Sequence, residues 1–156
     1  MITSNVYLTF KGNCREAFEF YRSVFGGDFE VINTFAEMPP QEGMPPMPDE
    51  HKSLIMHVTL PLGENSRIMG SDTTDFFSPD FTVGNNFAIS IGHEDPSKGE
   101  AYFNALAEGG KVIMPYAKTF WGAYFGQCTD QFGIKWMVNC EIPAEERMST
   151  SANAES

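Results

Sequence analysis

Positive charge is scarce in this chain. Its 10 Lys and Arg stand against 21 Asp and Glu, giving a formal net charge of −11 at pH 7. Nucleic acid and anionic membrane surfaces are gripped by Lys and Arg clustered against phosphate, and so sparse and scattered a basic set excludes both as expected partners. Long apolar runs are missing as well. No stretch approaches the ~20 residues that a membrane-crossing helix requires, and the first residues show no basic segment followed by an apolar one of secretory type. A cytoplasmic protein is expected. Cysteine is limited to Cys14, Cys128 and Cys140, with no Cys-x-x-Cys pair. Neither a disulfide framework nor a thiolate zinc site is indicated by such a set.

What the chain does have is apolar mass: 42% of its 156 residues are apolar and 14 are Phe, enough for one domain with a substantial core. Its strongest pattern is an internal repeat. Val6, Leu8, Phe20 and Gly26-Gly27 recur as Ile89, Ile91, Phe103 and Gly109-Gly110, each 83 positions later. Both halves read as a strand, an amphipathic helix closed by Gly-Gly, then further strands. Two such units, neither able to bury its apolar face alone, are expected to close around a shared concave sheet, a natural place for a ligand.

In the first unit Val6, Leu8 and Phe10 alternate with Tyr7 and Thr9, which predicts a strand with one apolar face. Asn13 is placed to cap a helix over residues 13–25, with Glu16 completing a capping-box pair and Ala17, Phe20, Tyr21 and Val24 forming the buried stripe. Strands are expected at 28–36, 53–60 and 67–71. The Pro- and Met-rich stretch 37–50 is loop, open to reading as a lid, an arm toward a second subunit or a disordered segment. The second unit opens with Phe87, Ile89 and Ile91, runs through a helix from Asp95-Pro96 to Gly109-Gly110, and adds strands at 111–119, 123–129 and 134–141. A single domain is expected over residues 1–143, made of modules at about 4–72 and 85–142, with a flexible tail at 144–156.

Strand parity divides the side chains between two faces. Val6, Leu8, Phe10, Phe87, Ile89, Ile91, Trp136, Val138 and Cys140 belong under the helices. Tyr7, Thr9, His57, Thr59, Asn86, Ser90, Phe125, Gln127, Met137, Asn139 and Glu141 belong to the opposite face. The second group mixes hydrogen-bonding and aromatic side chains, which suits either a ligand cavity or the solvated side of a sheet.

The segment Asn13-Cys14-Arg15-Glu16-Ala17-Phe18-Glu19-Phe20-Tyr21, followed by Phe25-Gly26-Gly27, resembles the opening of the vicinal oxygen chelate superfamily, which includes glyoxalase I, bleomycin-resistance proteins and extradiol dioxygenases. Thr119-Phe120-Trp121-Gly122 and Asp130-Gln131-Phe132-Gly133-Ile134-Lys135-Trp136-Met137 resemble its PhnB-like branch, also described as 3-demethylubiquinone-9 3-methyltransferase-like. The resemblance covers residues 6–141. It implies an α+β fold of two tandem βαβββ modules forming a curved mixed sheet, usually in a homodimer. At the positions where metal-dependent members carry His and Glu, the resemblance places Tyr7, Asn86, Met137 and either Met69 or Ser71, none of them a strong ligand for a hard metal. The Gly-rich strand-to-helix turn that normally holds a nucleotide-like methyl donor is absent, since both Gly-Gly pairs end helices.

The leading expectation is therefore a metal-independent small-molecule-binding protein that needs no cofactor. Tyr7, His57, Asn86, Trp121, Phe125, Met137 and Asn139 would contact a small apolar or aromatic molecule, and His57 is the best catalytic candidate because imidazole serves as acid, base or ligand donor. The alternative is a metal-dependent lyase, isomerase or dioxygenase with relocated ligands, His57 with Glu141 or Asp72. Cys14 opens a helix, where it is either a thiolate favoured by the helix dipole or a small residue of the capping turn.

Overall fold

Two compact units make up the chain, the first of residues Met1–Thr82 and the second beginning at Val83. The structure, a computed structural model, describes residues 1–146. The first unit runs β1 (Val6–Phe10), α1 (Cys14–Phe25), β2 (Val31–Thr34), β3 (Ile55–Pro61) and β4 (Arg67–Asp72). The second runs β5 (Ile89–Gly92), α2 (Pro96–Ala107), β6 (Lys111–Lys118), β7 (Ala123–Thr129) and β8 (Lys135–Glu141). Each unit holds one four-stranded mixed sheet, in the order β1-β4-β3-β2 or β5-β8-β7-β6, with only the first pair parallel. The repeat in the sequence is thus a repeated βαβββ wiring, and the architecture is α+β. Among the described residues no helix is long and apolar enough to cross a membrane.

Period-two alternation places the cores. Leu8 and Phe10 are buried while Tyr7 and Thr9 are exposed, and Trp136, Val138 and Cys140 are buried along β8. The stripe that α1 buries is Cys14, Ala17, Phe18 and Tyr21, shifted from the expected one, so that Phe20 and Val24 are only partly covered. The cause lies on β4: a Cβ on Gly70 would stand 2.6 Å from the Phe18 ring. The ring fills the slot left by a missing side chain and sets the rotation of the helix. In the second unit Gly126 does the same for Phe103, at 2.8 Å. Each such fully buried large apolar group stabilises the fold by ~1.5–3 kcal/mol.

Several local expectations are corrected. Asn13 makes no side-chain cap bond; the Cys14 N–H instead donates to Asp72 Oδ1 at 2.9 Å, and the Ile55 N–H donates to Asp72 Oδ2 at 2.8 Å. The helix start is held by a carboxylate at the end of β4. β2 stops at Thr34 because its N–H donates to Glu37 Oε2 at 2.8 Å, folding Phe35–Glu37 into a 3-10 turn. β5 begins only at Ile89, so Phe87 is 57% exposed and not under the helix, and Asn86 precedes the strand. Most of the expected tail, residues 147–156, lies outside the described residues.

β6 is an edge strand whose Val112, Ile113 and Met114 are all exposed. Its register against β7 shifts twice, between Val112 and Met114 and between Met114 and Ala117, a span that includes Pro115.

Candidate functional site

The helix-free face of the first sheet centres on His57. Its Nδ1 lies 3.3 Å from the Tyr7 hydroxyl and its Nε2 lies 2.9 Å from Thr59 Oγ1. His57 and Thr59 share a face because they are two positions apart on β3, and Tyr7 pairs with Met69, which pairs with Thr59. The Tyr7 and His57 rings also stack at 5.7 Å between centroids. A neutral imidazole has one N–H and one lone-pair nitrogen, so in either tautomer one hydroxyl accepts from the ring and the other donates to it. The ring orientation is thereby fixed.

Asp72 lies on the other side of this sheet, with Gly70 and the helix, and each of its oxygens accepts a backbone N–H. It therefore does not pair with His57. Cys14 is fully buried, and burial together with the Asp72 charge pushes its thiol well above the usual range. A dipole-activated thiolate is overturned by this environment. Cys128 is pushed from 9.0 up to about 11, first by burial and then by Asp130.

A thiol whose folded value is raised contributes stability that is complete below its unfolded value and is lost as pH rises through the folded one. The urea midpoint should hold up to pH near 9.0 and fall on the way to about 11, with a smaller fall in Cys128→Ala. Ellman's reagent should find none of the three buried thiols until the protein is unfolded.

On the helix-free face of the second sheet, Met137 pairs with Ser90 on one side and Gln127 on the other, and Asn139 pairs with Gly92 and Phe125. Trp121 meets Phe125 edge-on at 5.8 Å, and Phe120, 97% exposed, meets Trp121 at 5.1 Å. Trp121, Phe125 and Asn139 are thus brought together, with Met137 two positions from Asn139 on the same strand face. Asn86 is exposed ahead of β5 and belongs to no strand of the face. Glu141 lies beside Asn139 in an open hollow of about 560 Å3 with Gly92, His93 and Glu94. His93 is committed locally, its Nδ1 accepting the Asp95 N–H at 2.9 Å.

A cavity that sequence reasoning missed lies in the first unit. The stretch after β2 and the Phe76-Phe77 turn enclose about 650 Å3, lined by Phe35, Met38, Met44, Met47, Phe76 and Phe77 among others. The available signal was the coincidence of three Met and five Pro in residues 38–48 with a Phe pair downstream.

A catalytic metal does not fit these donors. Both nitrogens of His57 are spent on hydroxyls, Asp72 is spent on backbone, and Tyr7 and Met137 are poor ligands. Among the described residues no three His, Cys, Asp or Glu side chains come together as a ligand set.

Comparison with known proteins adds four findings. A family model described as 3-demethylubiquinone-9 3-methyltransferase matches residues 3–139. Protein YjdN of Escherichia coli (strain K12) is 31% identical over 140 residues, 85% of this chain and 91% of that protein. Protein PA1353 from Pseudomonas aeruginosa is 40% identical with a TM-score of 0.75, covering 91% of this chain and 99% of that one. A member of the glyoxalase/bleomycin resistance protein/dioxygenase superfamily from Sphaerobacter thermophilus shares the fold at 20% identity and a TM-score of 0.54, over 90% of this chain and 99% of that one.

Proposed function

The chain belongs to the 3-demethylubiquinone-9 3-methyltransferase family, and from that premise we propose that it is a metal-independent small-molecule-binding protein, a reading that its likeness in fold to the glyoxalase/bleomycin resistance protein/dioxygenase superfamily supports. The ligand is a small apolar or aromatic molecule. Its contacts are Tyr7 and His57 on the face of the first unit, or Trp121, Phe125, Met137 and Asn139 on the face of the second, the aromatic and thioether groups supplying area and the hydroxyl and amide groups supplying orientation. One observation carries this reading: the His57 imidazole lies between the Tyr7 and Thr59 hydroxyls, at 3.3 and 2.9 Å, and so fixes the direction of two hydroxyls that keep hydrogen-bonding capacity for a ligand.

Methyl transfer is not supported by the residues present. A nucleotide-like donor is bound where a glycine-rich turn leads from a strand into a free helix N-terminus. Here Gly26, Gly27 and Gly109 follow helices, with φ of 79°, 81° and 76°. Both helix starts are already closed by the chain's own carboxylates, Asp72 on the Cys14 N–H and Asp95 on the Ser97 N–H.

A thermal-shift screen with aromatic and quinone-like compounds tests the proposal. A true ligand at 100 times its Kd should add about 2.7 kcal/mol, a rise of roughly 5–10 °C for a chain of this size. The shift should disappear in His57→Ala when the face of the first unit holds the ligand and in Phe125→Ala when the face of the second does. A screen in which nothing stabilises the protein, or stoichiometric Ni, Zn, Fe or Mn that is lost in His57→Ala, would sink it.

A further inference from the structure

We infer that the cavity between the Met- and Pro-rich stretch and the Phe76-Phe77 turn is a second binding site, for a neutral aromatic molecule. It goes beyond the sheet-face reading and shares no residue with it. Its volume of about 650 Å3 falls inside the ~300–1,000 Å3 of small-molecule sites.

The hollow is held open by backbone chemistry. Pro39, Pro40, Pro45, Pro46 and Pro48 carry no N–H, so this stretch cannot add a strand to the sheet or close into a helix. Its internal ties are turns, the Met38 N–H donating to Phe35 O at 3.1 Å and the Met44 N–H donating to Gln41 O at 3.3 Å. The wall behind it is rigid: Phe35 and Phe77 stack at 5.8 Å with 11° between planes, and Phe76 meets Phe77 edge-on at 5.3 Å. Phe76 is nevertheless 66% exposed and Met44 57% exposed. Large apolar side chains are left in water around a preformed slot, and burying them under a ligand gains about 25 cal/mol per Å2. Flexible thioethers from Met38, Met44 and Met47 adapt to a flat ring and favour its edge.

Charge selects against an anion. Lys52 is the one ionic residue of the lining, and its ammonium is 2.7 Å from Asp49 in a chain of net charge −11. Gln41 offers the other side-chain hydrogen bond. Fourteen residues line the cavity, against roughly 20–30 per side in a stable protein interface, which favours a small molecule over a second copy of the chain.

The test titrates the full chain with N-phenyl-1-naphthylamine, a neutral dye that brightens in apolar surroundings. Met44→Asp and Phe76→Asp change exposed side chains, so the fold should survive, and each should weaken the dye at least tenfold. Val83→Asp, which changes an exposed apolar side chain outside this lining, should leave its affinity unchanged. With methyl-13C methionine, the dye should move the signals of Met38, Met44 and Met47 and spare Met114 and Met137. Equal binding by the Asp variants, shifts confined to Met114 and Met137, or an equally tight grip on the sulfonated dye ANS would overturn the inference. So would a Met44→Asp variant that turns dimers into monomers with the dye affinity intact, which would make the surface a contact between copies. Loss of dye in the sheet-face variants alone would remove this site and leave the proposed function standing.

Discussion

Asp130→Ala is expected to lose roughly 4–5 kcal/mol of folding stability, on the basis of three hydrogen bonds to a buried carboxylate at ~1.5–3 kcal/mol each, less than additive. The carboxylate is 3% exposed. Oδ1 accepts the Phe132 N–H at 2.8 Å and the Ile134 N–H at 3.0 Å, and Oδ2 accepts the Trp136 indole N–H at 2.8 Å. One side chain therefore closes the turn from β7 to β8 and ties it to the largest fully buried side chain of the chain. Truncation leaves three donors without that acceptor, the indole N–H in a buried setting and the two backbone N–H groups in part-buried ones. Domains of this kind are stable by only ~5–15 kcal/mol, so the variant should be near its unfolding midpoint at body temperature. Urea denaturation followed by circular dichroism measures the loss. Trp136→Phe in the same background isolates the indole bond, and the double variant should cost clearly less than the two single losses together. A loss below 1 kcal/mol in Asp130→Ala would refute the account.

Asp72→Ala should lose about 3–4 kcal/mol, because two backbone N–H groups are left without their charged acceptor. The carboxylate joins the first turn of α1 to the start of β3. Asp72→Asn keeps an oxygen for one N–H and turns an NH2 toward the other, so a loss of about half that size is expected. Hydrogen exchange gives the sharper readout. The amides of Cys14 and Ile55 should lose protection together in both variants, while those of β7 and β8 keep theirs. Protection of Cys14 that persists in Asp72→Ala would show that another group caps the helix.

Much of the fold was legible in the sequence because strand parity and the 83-residue repeat are local or periodic signals. The alternation of Val6 to Phe10 and of Trp136 to Cys140 reports which face is buried without reference to any partner. The helix cap was not legible. Asn13 and Glu16 satisfy the local rule, yet the acceptor is Asp72, 58 positions from Cys14. The rotation of α1 was hidden for the same reason, since it depends on the space above Gly70 on another strand. Phe87 kept the parity of Ile89 but fell outside the strand, where parity has no meaning. Among the candidate contacts, the Tyr7–His57–Thr59 cluster follows from period-two placement, whereas the cavity before β3 needed the chain path of a proline-rich segment that has no period to read.

The closing specific run Asp130 to Met137 also gains a physical meaning. Asp130 supplies the acceptor, Gly133 supplies the positive φ of 89° that the turn demands, and Trp136 supplies the indole donor.

The free border of β6 bears on how crowded molecules avoid one another. An eight-residue strand presenting Val112, Ile113 and Met114 is a template onto which a neighbouring chain can zip, the first step toward cross-β growth. Pro115 interrupts the row of donors, the two slips in pairing bend the ladder, and Lys111 and Lys118 flank it as like charges that repel their own images in a copy. Three residues of one strand thus work against such growth alongside the net charge of −11.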